Sequence, residues 1–324
     1  MNKLYPIAQP VEKEMEVFNR LFSETLHGHN SDFQSMIDFV SGKNGKRIRP
    51  LILLLSAKLC GEPNEKSIDY AVMLELLHTS TLIHDDVVDN TMERRGQLSV
   101  NAKYDNRLAV LLGDYILALA ITKAILSKNF AVLDILSRLA QNLAEGELAQ
   151  LIASKGLQFN EKHYFEVIWK KTAFLLSSCA EMGAISVNAG HEKQEILRLI
   201  GENLGMCFQI KDDIFDYFDQ GDIGKPTGND IREGKITLPL IYALKTAPKP
   251  ESDRILSLIQ NRDYSPEIIR ELTDFAKENN GIEYAKSKMQ EIKEKTIALL
   301  NDFPDSEAKT SLIQLCDYII EREK

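Results

Sequence analysis

The chain has 324 residues, 44% of them hydrophobic and 27% charged, and 39 basic against 48 acidic side chains give a net charge of −9. That length allows a large core and, by size alone, two domains, while the acidic balance argues against a nucleic-acid binder. Helical periodicity runs nearly end to end with no low-complexity tract or Pro/Gly/Ser-rich linker, so one all-α domain over residues 1–324 is expected.

The opening Met1-Asn2-Lys3-Leu4-Tyr5-Pro6 leads into a charged stretch without the pattern of a secretory signal, which predicts a soluble, cytoplasmic protein. Gly42-Lys43-Asn44-Gly45-Lys46-Arg47-Ile48-Arg49-Pro50 reads as a flexible basic loop running into the apolar helix that begins Leu51-Ile52-Leu53, with Pro50 suited to the first turn. Such a loop sets backbone N–H groups, a lysine and forked guanidinium groups at a helix N-terminus, a natural anion site. Taken alone, the segment is equally well read as a solubilising basic turn.

A long apolar helix follows, ending in Asp85-Asp86-Val87-Val88-Asp89, and 127 positions later the same grammar returns as Asp212-Asp213-Ile214-Phe215-Asp216. Residues i and i+4 share a helix face, so Asp85 and Asp89 point one way, as do Asp212 and Asp216, while Asp86 and Asp213 sit about 100° round. Carboxylates in apolar helices are expected to need compensating positive charge. All-oxygen ligands suit hard cations, and Mg²⁺ takes one or two carboxylates while keeping waters and substrate phosphates. One DDxxD is usually a solvated helix face; two in apolar contexts predict two helices holding a metal-bound diphosphate.

Arg94-Arg95-Gly96 comes next and either neutralises the carboxylates or, since neighbouring side chains on a helix diverge, reaches two different diphosphates. The longest apolar stretch, Leu108 to Leu126, includes Gly113, Asp114 and Lys123; it approaches the length of a membrane span but reads as a buried core helix. Lys170-Lys171-Thr172-Ala173 opens another apolar helix, Phe174 to Ala184. The stretch from Asp222 to Lys235 is too rich in Gly, Pro, Asn and Asp for a helix and reads as a basic lid over phosphate, with Lys225 and Lys235 as its cations. Cys60, Cys179, Cys207 and Cys316 are scattered and read as small core hydrophobes in a reducing compartment.

GKRIRP from Gly45, LIHDDVVDNTMERRG from Leu82, Gly113-Asp114, Lys171-Thr172-Ala173, FQIKDDIFD from Phe208 and GKPTGNDIREGKITLP from Gly224 follow one another in this order. In these motifs, from Gly45 to the tail at Arg322, the chain resembles the trans-isoprenyl diphosphate synthases of the polyprenyl synthetase family. The resemblance implies an all-α bundle around a central cavity, of the isoprenoid synthase type, acting as a homodimer that condenses isopentenyl diphosphate with an allylic diphosphate. It implies that Asp85, Asp89 and Asp212 bind about three Mg²⁺ ions bridging the allylic diphosphate, supported by Asp86, Asp213 and Asp216. Arg94, Lys171, Lys225 and Lys235 would contact that diphosphate, and Gly45, Lys46, Arg49, His78 and Arg95 would hold isopentenyl diphosphate. Thr172, Gln209 and the ring of Phe208 would line the reacting carbon chain. His78 lies two turns before Asp85 on nearly the same face, which favours a ligand over a core histidine.

The implied chemistry is ionisation of the allylic diphosphate, attack by the isopentenyl π-bond and loss of a proton to the departed diphosphate, with His84 a lesser candidate base. The product would grow along the helix face that includes Ser80, Thr81, Leu77, Leu74 and Met73. In the family, bulky aromatic residues at the fourth and fifth positions before the first motif stop growth at farnesyl length; here those are Thr81 and Ser80, both small. A product of C20 or longer is therefore expected, such as a quinone side-chain precursor, with a short-chain farnesyl or geranylgeranyl synthase as the alternative. A terpene cyclase would carry an Asn/Ser/Glu-type second metal motif, and a head-to-head synthase would lack GKRIRP. A non-catalytic subunit of a hetero-oligomeric prenyltransferase would typically have lost aspartates, and all six are present.

Overall fold

The computed structural model describes residues 4–27, 33–42, 45–94, 96–156, 160–218, 228–262 and 264–322, and they are almost entirely helical, as the periodicity predicts. The one sheet among the described residues is a hairpin pairing Glu93–Arg94 with Gln97–Leu98. Contacts gather into two compact units, each built from separated chain segments. One comprises Met1–Ser137, Ser178–Arg198 and Phe303–Leu315; the other comprises Arg138–Ser177, Leu199–Asp302 and Cys316–Lys324.

In the first unit the helix Glu65–Val88 carries the first aspartate motif at its C-terminal end. Asn64 starts it with a capping box: its side chain accepts from the Lys66 and Ser67 amides, and the Ser67 hydroxyl accepts from the Asn64 amide. Tyr70 to Leu77 are buried without interruption, so this half is core on every side. Asp89 caps the helix, and Asn90 (φ 51°) turns the chain towards the hairpin in the left-handed region that Asn tolerates.

The apolar helix Asn106–Leu126 packs on it. Its buried face is made of Ala109, Leu112, Gly113, Ile116, Ala120 and Ala124, mostly small residues that let two helices approach closely. The opposite face exposes Leu108, Leu111, Ile121, Ile125 and Leu126, with Leu111 63% and Leu126 70% accessible. The expectation of a buried core helix is therefore corrected: only a third of its most apolar stretch is buried. The helix is largely apolar on both sides, and within its unit only one side is covered.

In the second unit, Glu161–Ile168 runs into a π-helical turn, Trp169–Ala173, before the helix Phe174–Ser186. Lys170 to Ala173 thus form a π-turn and not the plain helix start expected; such widened turns are frequent at functional sites. Two glycines let neighbours press on it. A Cβ on Gly205 would lie 2.4 Å from the Ala173 Cα, and one on Gly146 would lie 2.8 Å from Cγ of Lys171. The second aspartate motif ends the helix His191–Phe215. Beyond it Asn229–Arg232 forms one helical turn where none was expected, because Asp216 caps it: its carboxylate accepts from the amides of Asn229 (2.8 Å) and Asp230 (3.0 Å).

Candidate active site

Each motif divides its aspartates the same way. In the first, Asp86 is buried and accepts from Nε of Arg94 at 2.7 Å, while Asp85 is half-buried and Asp89 exposed. In the second, Asp213 is buried and Asp212 and Asp216 are half-buried. Although both motifs lie in apolar helices, only two of the six carboxylates are buried, the middle one of each motif. The reason is angular: about 100° of helix rotation turns the middle residue inward, while i and i+4 stay together at the margin.

Arg94 reaches Asp86 from the hairpin, on a strand where a helix was assumed; Arg95 lies outside the described residues. Asn101 secures the hairpin root by donating to the carbonyls of Asp86 and Thr91. In the same unit Gly45 and Lys46 precede the helix Ile48–Cys60, whose first turn holds Arg49. His78 and Thr81 are half-buried on the first aspartate helix, with the Thr81 hydroxyl donating to the His78 carbonyl at 2.9 Å. Leu74, Leu77 and Ser80 are buried. His84 lies against the apolar helix, its Nε2 3.2 Å from the Val110 carbonyl and 3.3 Å from Asp114.

In the second unit the predicted pair Thr172 and Gln209 is brought together as part of a chain. The Thr172 hydroxyl donates to Gln209 Oε1 (2.8 Å), Gln209 Nε2 donates to Asp213 Oδ1 (2.8 Å), and the Tyr164 hydroxyl donates to Asp213 Oδ2 (2.6 Å). Asp212 is paired with Arg322 at 2.6 Å. That guanidinium also donates to the Phe208 carbonyl and sits 4.1 Å from the Phe208 ring centroid, so the ring expected to line a carbon chain faces a cation. Lys171 bridges Glu147 at 2.5 Å and Gln150 at 2.8 Å; Lys235 pairs with Glu233 at 2.6 Å. Lys225 lies outside the described residues.

Burial pushes the Asp213 carboxyl up to about 6, with the Asp212 and Asp216 charges adding to the rise against the opposing bonds from Tyr164 and Gln209. Burial likewise raises Asp216, and it raises Asp230 well above the usual carboxylate range, reinforced by the charges of Asp213 and Asp216. Its carboxyl groups repel one another, Asp212 and Asp216 acting on Asp213 and both Asp213 and Asp216 on Asp230, and its donors are all oxygen. That donor chemistry is the kind a hard divalent cation takes, but among the described residues no three such side chains are grouped to hold one as they stand. A cavity of about 170 Å³ adjoins it, with Lys171, Gln209, Asp213, Asp230 and Lys235 on its polar side and Val167, Ile168 and Ile241 on its apolar side.

Nothing local in the sequence marks Tyr164, Glu147 or Arg322 as site residues, because each matters through a partner distant in the chain. Asp230 lies inside GKPTGNDIREGK, where it is indistinguishable from ordinary loop composition.

The sequence profile of the polyprenyl synthetase family matches residues 30–275. The octaprenyl diphosphate synthase of Escherichia coli (strain K12) is 32% identical over 325 residues, covering 99% of each chain. A polyprenyl synthase from Caulobacter crescentus CB15, crystallised with calcium and isoprenyl diphosphate, matches at a TM-score of 0.91 with 31% identity over 98% of both chains. A geranylgeranyl pyrophosphate synthase from Bacteroides thetaiotaomicron matches at 0.86 with 41% identity, over 99% of this chain and 100% of that one.

Proposed function

Because the chain belongs to the polyprenyl synthetase family and is a trans-prenyltransferase, we propose that it condenses isopentenyl diphosphate with an allylic diphosphate, releasing an all-trans polyprenyl diphosphate of C20 or longer. The observation that carries this reading is the division within each motif. In each motif the middle aspartate is tied into the protein, and in the first motif Asp85 and Asp89 remain at the margin where a cation and a diphosphate have access.

Asp85, Asp89 and Asp212 would hold Mg²⁺, with Asp86, Asp213 and Asp216 behind them. Bound Mg²⁺ supplies Lewis-acid stabilisation of the leaving diphosphate. Lys171 and Lys235 exchange their carboxylate partners for phosphate oxygens, a swap between charge-assisted bonds that costs little. Arg94 spends Nε on Asp86, which aims its two Nη groups as the fork that meets the diphosphate. As the C–O bond breaks, Thr172 and Gln209 offer oxygen dipoles to the allylic cation, held in place by the Asp213 chain. Gly45, Lys46, Arg49, His78 and Arg95 hold isopentenyl diphosphate while its π-bond attacks, and the proton leaves with the released diphosphate.

The reading includes a homodimer formed through the exposed apolar face of Asn106–Leu126, a patch of the kind that marks an association surface. Small Ser80 and Thr81 leave the chain-growth face open beyond farnesyl length. Incubating the protein with labelled isopentenyl diphosphate, Mg²⁺ and each short allylic primer, then sizing the products, tests the whole. Products of C20 or longer are expected, and none above primer length would overturn the reading.

A further inference from the structure

Of the three closely spaced cations in GKRIRP, Arg47 is paired with a carboxylate on the first aspartate helix. We propose that Arg47 and Glu75 form a buried clamp that positions the isopentenyl diphosphate site; the proposal rests on the assignment of that site above. Arg47 Nη1 lies 2.6 Å from Glu75 Oε1, with the two side chains only 18% and 8% exposed. Its guanidinium carbon stands 4.5 Å from the ring centroid of Phe22 and 5.8 Å from that of Phe18, both buried. The cation is thus held in the plane by a carboxylate and from the side by aromatic faces.

The backbone reports the same constraint. Arg47 is the N-terminal cap of Ile48–Cys60 and has φ 51° and ψ 35°, the left-handed region that residues with a Cβ seldom adopt. Such a conformation persists where the surroundings over-determine it, and the Glu75 pair with the two rings does so here. The kink at Arg47 sets the direction in which the loop residue Lys46 leaves and in which the first-turn residue Arg49 starts.

Glu75 lies on the first aspartate helix, one turn before His78, and the Thr79 hydroxyl donates to its carbonyl at 2.7 Å. The pair therefore joins the loop-to-helix junction that carries Lys46 and Arg49 to the helix that carries His78. Oε2 of Glu75 is buried without a hydrogen-bond partner among the described residues, so Arg47 is the partner that Oε1 and the buried charge depend on. A buried ion pair is a weak source of stability, because desolvation offsets attraction, but it is demanding about geometry. That balance suits a positioning residue.

Kinetics of Glu75→Gln, Arg47→Lys and Arg47→Gln, together with Glu75→Gln/Arg47→Gln, test the clamp. Each single variant should raise KM for isopentenyl diphosphate about tenfold with KM for the allylic diphosphate unchanged. The double variant should be no worse than the poorer single one, since one interaction is lost in either case. Arg47→Lys keeps the buried charge balanced and should melt near the wild-type temperature, so it carries the test if the Gln variants do not fold. Equal changes in both KM values, or a lowered melting temperature with neither KM changed, would overturn the clamp. Lys46→Ala separates the two claims. If it leaves KM for isopentenyl diphosphate unchanged, the site assignment falls and takes the clamp with it. If it raises that KM while Arg47→Lys does not, the clamp alone falls.

Discussion

The Tyr164 hydroxyl donates to Oδ2 of Asp213 at 2.6 Å, and both residues are buried. A neutral donor on a buried carboxylate makes a charge-assisted bond, and removing it strands part of the carboxylate's hydrogen-bonding capacity. Tyr164→Phe should therefore cost about 1–3 kcal/mol of stability, read by urea denaturation. It should also lower kcat, because Asp213 anchors Gln209 and through it Thr172. A variant with wild-type kcat would detach that chain from the chemistry.

Gly205 is the closest approach to the π-turn. A methyl group there would sit 2.4 Å from a backbone Cα of Ala173, so the helix His191–Phe215 or the turn must shift. Gly205→Ala should cost about 1–3 kcal/mol from overpacking and displace Lys171 and Thr172, lowering kcat more than its stability loss explains. Gly146→Ala meets mainly the stem of Lys171 and should be milder. Thermal melts and steady-state kinetics on the two variants check the order.

These cases mark what the sequence could and could not carry. The i and i+4 spacing made Asp85/Asp89 and Asp212/Asp216 legible as pairs, because helix geometry is local. The inward fate of Asp86 and Asp213 was not, because their partners come from a hairpin and from a residue 49 positions away. The π-turn left no trace, since one widened turn barely alters the apolar period. Arg47 was hidden by its neighbours: in a run of cations, nothing local marks the one that pairs with a carboxylate 28 positions away. The exposed face of Asn106–Leu126 reads the same whether its cover comes from this chain or from another.

The four cysteines should be nearly inert in the folded protein. Burial pushes the thiols of Cys179, Cys207 and Cys316 up to about 12 and that of half-exposed Cys60 to about 11, where the Lys193 charge opposes the rise. At pH 8 about one Cys60 in a thousand would be thiolate. A chromogenic disulfide reagent should thus titrate fewer than one thiol quickly in the native state and four after unfolding in guanidinium. Unfolded thiols ionise near 9, so their contribution to stability is full below pH 9 and is lost as the pH rises through 11 to 12. Fast native titration of several thiols would contradict the burial of Cys179, Cys207 and Cys316.

Leu111 and Ile125 are 63% and 59% accessible on the apolar face of Asn106–Leu126. Replacing both by Glu leaves the buried face, with Ala109, Ile116 and Ala120, untouched, so the fold should be retained with helical circular dichroism unchanged. Two carboxylates placed on an association surface must be desolvated for it to form, which costs several kcal/mol. The wild type should sediment as a dimer and the double variant as a monomer in analytical ultracentrifugation. A variant that still sediments as a dimer would move the interface off this helix.

Ser80 is 1% exposed on the first aspartate helix, and Thr81 beside it is half-buried. If the product grows along this face, an aromatic ring at either position intrudes within about two helical turns of Asp85, a turn being about 5.4 Å and comparable with one isoprene unit. Ser80→Phe should shorten the product towards farnesyl length. Because it adds volume at a packed position, it should also cost about 1–3 kcal/mol. Thr81→Phe, with more room, should shorten the product at a smaller cost. Stability and length must be read together: shortening in both variants, despite their unequal stability, ties length to the side chain's reach. Unchanged length in two folded, active variants would place the growth path along a different surface, and the small residues before Asp85 would then have no bearing on product size.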